Sequence, residues 1–168
     1  MKIKLIGFIT IFVCSFVQAD NYQNIIDNRK MVYSVPEDNF QNTINSMYRF
    51  EDETGSTSAQ QSFLKVKDIR LTSDQKATFW LTSISRINDQ KENLKVGDIT
   101  KDFIELDCNE YTAAYLSRNR FRKGKIIFNL NFKNKEFFPI IPDSGGSSIA
   151  SKVCLVQDIL ERKELLGK

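Results

Sequence analysis

Hydrophobic and polar positions along the chain change their spacing several times. Leu5 to Phe16 is an apolar run behind Lys2 and Lys4, followed by the small-residue pattern Val17-Gln18-Ala19. A run this short, with no stop-transfer pattern behind it, predicts a leader (residues 1–19) cleaved after Ala19 and not a membrane span. Residues 20–61 form a polar extension rich in Asn, Gln, Ser and acidic side chains. Two apolar patches interrupt it. Met31-Val-Tyr-Ser-Val35, before Pro36, reads as a short edge strand, and Ile44 to Phe50 as an edge strand or a helical turn. Glu51 to Gln61 holds too little apolar surface to offset its ordering entropy, so it predicts a mobile loop.

From Ser62 onward the period is two. Phe63, Val66 and Ile69 sit in a strand-like segment closed by the turn signal Thr72-Ser-Asp74. In Ala77 to Ile84, Phe79, Leu81 and Ser83 alternate with Trp80, Thr82 and Ile84, a strand pattern in β-branched and aromatic residues. Phe103 to Cys108 sets Ile104, Leu106 and Cys108 against Phe103, Glu105 and Asp107, which places the cysteine on the apolar face. Tyr111 to Leu116, Ile126 to Phe132 and Phe137 to Ile141 complete the strands, with Gly124 as the turn residue before the fifth. Ile149, Val153, Val156 and Leu160 recur at helical spacing, with Ser147 or Ser148 as N-cap and Gly167 at the end. About six consecutive antiparallel strands and one closing helix make an α+β fold.

Composition sharpens this picture. Cleavage after Ala19 removes two of the 24 basic residues and none of the 21 acidic ones, taking the net charge from +3 to +1. Such balance argues against nucleic acid, whose phosphates demand a strong basic excess. It also leaves Cys108 and Cys154 from three cysteines. In an oxidising compartment two cysteines are expected to pair, closing a loop worth roughly 4 kcal/mol. The rival readings, a metal site or a reactive thiol, suit a chain without histidine poorly. Lipidation at Cys14 is disfavoured because Phe12 and Val13, not small residues, precede it.

Candidate chemistry is sparse. Without histidine there is no Ser-His-Asp or Cys-His scheme and no imidazole ligand. Ser144-Gly145-Gly146 lacks the glycine spacing of a nucleophile elbow and reads as a turn before the helix, with Asp143 as a capping residue in preference to a cation ligand. Glu105 and Asp107 sit close enough for acid–base work, but as strand residues alternating with apolar ones they read as the wet face. No metal, cofactor or catalytic residue is expected. The densest charge is Arg118, Arg120, Arg122, Lys123 and Lys125, with Tyr115 and Phe121 nearby. That basic-aromatic run is the candidate contact patch for an acidic protein segment or a sulfated glycan, against the reading of a solvated hairpin end.

Phe79-Trp80-Leu81, Leu106-Asp107-Cys108, Phe138-Pro-Ile-Ile-Pro-Asp-Ser-Gly-Gly146 and Lys152-Val153-Cys154, in this order, resemble the surface-adhesin protein E family of Gram-negative bacteria. The resemblance assigns residues 62–168 to a protein E-like domain. It implies a bent antiparallel sheet stapled to a C-terminal helix by a disulfide. It further implies an exported, non-enzymatic protein at the cell surface or in the periplasm that binds host extracellular-matrix or plasma proteins. The alternative is a periplasmic partner or inhibitor of another envelope protein. An exposed edge strand could also pair two copies into a homodimer.

Overall fold

The computed structural model describes residues 23, 25–47, 53–141 and 144–167. The expected leader, its cleavage point and Asp143 lie outside them. Two helices come first, α1 over residues 25–34 and α2 over Glu37–Met47. The edge strand expected at Met31 to Val35 is therefore not formed. Ile25, Arg29 and Val32 recur at i, i+4 and i+7, and Pro36 ends one helix and precedes the acidic first turn of the next, Glu37 and Asp38. In the second patch residues 44–47 take the helical alternative; its remainder, 48–50, lies outside the described residues.

The strands are β1 Glu53–Ser56, β2 Gln60–Leu64, β3 Arg70–Leu71, β4 Ala77–Ser85, β5 Ile99–Asp107, β6 Thr112–Arg122, β7 Lys125–Asn131 and β8 Phe138–Pro139. Helix α3, Gly145–Leu166, closes the chain. The sheet runs β1-β2-β4-β5-β6-β7, antiparallel throughout, with β3 beside β4 and β8 beside β6. The expected α+β architecture is what forms. Two strands are additional, β1 and β3. The described part of the stretch read as a mobile loop is instead the β1–β2 hairpin, in register from Glu53 opposite Leu64 to Ser56 opposite Gln61. Bulges interrupt the ladder at Phe103/Ile104 and at Arg120/Phe121, and each bends its strand pair.

Helix α3 covers one sheet face. Leu64, Phe79, Ile104 and Leu106 from the strands meet Ala150, Val153, Cys154 and Val156 from the helix in one core. The predicted stripe is thus the buried one, with Ile149 and Leu160 at its margin. Each large aliphatic side chain so buried contributes about 2 kcal/mol. Cys108 and Cys154 are bonded, S–S 2.06 Å, which ties the end of β5 to the middle of α3. A second cluster, Val32, Phe40 and Ile159, seats α1 and α2 on the far part of α3. The N-cap of α3 is Ser144, upstream of the expected Ser147 or Ser148: its side chain accepts from the Ser147 N–H at 3.2 Å. Ser147 instead turns its hydroxyl back to the Ser144 carbonyl, 2.8 Å.

Candidate functional site

The β6–β7 hairpin carries most of the predicted contact residues. Its two-residue turn, Lys123–Gly124, has φ of 50° and 78° between paired Arg122 and Lys125. That left-handed pair matches the twist of the strands, and glycine takes its half without a Cβ penalty. Strand alternation then places Arg118, Arg120 and Arg122 along one side of the hairpin, each paired internally. Arg118 grips Asp102 with two hydrogen bonds, 2.6 and 3.1 Å. Arg120 donates to the Glu92 carboxylate and to its carbonyl at 2.8 Å. Arg122 holds Asp98 at 2.7 Å and the Asn93 carbonyl at 3.0 Å. Asp98 and Asp102 are buried, so Arg118 and Arg122 chiefly neutralise charge inside the fold, while Arg120 pairs with the exposed Glu92.

The ionisation balance follows. The Arg122 hydrogen bonds hold the Asp98 carboxyl below the usual carboxylate range, against the opposing effect of burial. Asp102 in turn raises the pKa of Arg118. Burial, with Asp102 nearby, pushes the Tyr115 phenol above its ordinary value. Tyr115 stacks on Phe138 at 5.4 Å between ring centres and leans on Phe132 at 6.1 Å, with the Arg118 guanidinium 4.8 Å from its ring. Of the three arginines Arg118 is the one that meets Tyr115, and all three cations face carboxylates of the chain itself. Phe121 sits apart from them, under the Lys101 ammonium at 5.7 Å. Lys123 and Lys125 stand exposed at the turn, and with Lys133 they have no ion pair among the described residues.

The outer edge of the sheet is the feature composition could not announce. All seven residues of β7 are exposed, and β7 has no strand on its far side among the described residues. Ile126 is 62% exposed, and Phe128, Leu130, Phe132, Phe138 and Ile141 are exposed as well. The alternation that marks a strand marks no core here. Together these large apolar side chains form an exposed apolar patch along an edge strand that is paired on one side only among the described residues. On the inner side of β7, Phe128, Leu130 and Phe132 line a groove of about 460 Å³ with Arg118 and Arg120 as its floor. Beside β8 a smaller apolar cleft of about 210 Å³ opens between Ile104, Tyr115, Phe138 and Ile149.

The carboxylate pair takes a different place from the one expected. Glu105 is buried, not wetted, because Lys135 folds over it with contacts of 2.8 and 3.1 Å. Asp107 faces Lys76 at 3.4 Å. Each carboxylate is thus held by an ammonium, which suits a structural ion pair more than a proton shuttle. Among the described residues no three Cys, Asp or Glu side chains converge as a metal site would need, and no helix is long and apolar enough to cross a membrane.

Comparison of the chain with family models, with curated proteins and with solved structures returns no match.

Proposed function

We propose that this chain is an exported, non-enzymatic protein-binding module of the surface-adhesin protein E type, which engages host extracellular-matrix or plasma proteins. One observation carries the proposal: the exposed apolar edge from Ile126 to Ile141, framed by Lys123, Lys125 and Lys133, which have no ion pair among the described residues. Surfaces of this kind are costly to keep in water and are retained where a partner covers them. The α+β architecture, with Cys108 bonded to Cys154, supports the same reading, since the resemblance implies that staple. Binding is ascribed to the β7–β8 edge and its lysines. Arg118, Arg120 and Arg122 underpin it, because their charges are already matched.

The test is binding of the oxidised chain, purified without residues 1–19, to immobilised matrix glycoproteins and serum proteins, compared with Phe128→Ser/Leu130→Ser. Wild-type binding that this double variant weakens about tenfold supports the proposal. Binding unaffected by it, or no binding at all, opposes it. The second reading, a periplasmic partner or inhibitor, uses the same edge and is favoured if cell fractionation confines the protein to the periplasm and an envelope pull-down recovers a specific protein.

A further inference from the structure

We infer that β7 is a strand acceptor: it binds an extended segment of another protein whose apolar residues alternate with polar ones and whose ends are acidic. This deepens the protein-binding reading and rests on it. The first argument is the backbone. The Phe132 amide donates to the Leu116 carbonyl, 3.0 Å, so residue 132 turns its main chain toward β6. Antiparallel alternation then turns the N–H and C=O of Asn129 and Asn131 outward, where no described strand meets them. An incoming strand would satisfy both and extend the sheet.

The second argument is the pattern of side chains. Phe128, Leu130 and Phe132 lie on the groove side, so a bound strand in register sets every second side chain against them. The intervening positions fall beside Asn129 and Asn131 and are polar.

Charge decides between a foreign segment and a second copy. Lys123 and Lys125 flank one end of β7 and Lys133 the other, all three without an ion pair among the described residues. A two-fold pairing of β7 centred on Phe128 sets Lys123 opposite Lys133, and one centred on Asn129 sets Lys125 opposite Lys133. Like charges directly across a ladder destabilise it. An acidic-ended strand meets favourable charge at both ends instead.

The test uses the full oxidised chain without residues 1–19 and a labelled synthetic peptide of alternating valine and threonine with two aspartates at each end. The expected result is saturable binding, with slowed amide exchange at Asn129 and Asn131. The same composition in scrambled order binds about tenfold more weakly. Asn131→Pro, which removes an outward donor and leaves the β6 ladder untouched, weakens binding by a similar factor. Lys123→Glu/Lys125→Glu/Lys133→Glu does likewise and reverses the salt dependence, since added salt then screens repulsion where it screened attraction. Amide exchange on the wild-type chain decides the matter if either variant fails to fold. Peptide binding without protection of β7, or indifference to peptide order, overturns strand addition. So does a stable dimer of the free chain that Asn131→Pro dissociates, since the acceptor is then filled by a second copy. Glycoprotein binding that Phe128→Ser/Leu130→Ser weakens but Asn131→Pro leaves intact removes strand addition alone; loss of all protein binding removes the broader proposal with it.

Discussion

At the scale of single residues, long polar side chains do much of the fastening. Arg162, buried on α3, donates to the Val32 and Val35 carbonyls at the end of α1 and lays its guanidinium 4.5 Å from the Phe40 ring. Carbonyls at a helix C-terminus lack intrahelical donors, so a fixed cation there both satisfies and attracts them. Arg162→Met should cost about 2 kcal/mol, read from urea unfolding, because one buried and one half-buried acceptor lose their donor. Asp98 gives a pH signature. Its folded pKa lies below the unfolded value, so its stabilisation is complete above about pH 4 and fades as pH falls through the lowered folded value. Asp98→Asn should therefore lower Tm at neutral pH and flatten the acid limb of a Tm-against-pH curve. Asp158 runs the other way. Burial raises its pKa even with Arg29 at 2.8 Å, so its contribution is largest at low pH and declines as pH climbs through that raised value.

At the scale of elements, the contact between α3 and the N-terminal helices rests on few side chains. Ile159 is the α3 member of the cluster with Val32 and Phe40. Ile159→Ala should cost about 3 kcal/mol, and faster amide exchange in residues 25–47 than in β4 or β5 would show that the loss is local to the joint. How far each element was readable depends on where its partners lie. Strand β4 was plain because Phe79 and Trp80 meet different surroundings, one buried and one exposed. Helix α1 was not, since its inward stripe includes Arg29, whose partner Asp158 stands 129 positions away. Strand β1, Glu-Thr-Gly-Ser, has no apolar face to announce it and forms by pairing with β2.

At the scale of the whole molecule, the same reasoning explains the site. Spacing grouped Arg118, Arg120 and Arg122, but Asp98, Asp102 and Glu92 reach them only through the β5–β6 register and the loop ahead of β5. A basic run thus looked available where it is occupied. The exposed edge was hidden for a related reason: periodicity reports that one side of a strand is apolar, not that anything covers it. The disulfide was legible from compartment logic and its position on the apolar face. Replacing both cysteines by alanine should cost about 4 kcal/mol, measured by denaturant unfolding of the double variant against the oxidised chain.

That crosslink has one more consequence. Cys108 is 2% exposed and Cys154 not at all, so an external thiolate has no line of attack while the chain is folded. Reduction must wait for an opening event, and the rate measured against rising dithiothreitol should level off at the opening rate instead of climbing in proportion. Longevity among small-molecule reductants is then governed by how often the native state breathes, and any ligand that slows that breathing lengthens it.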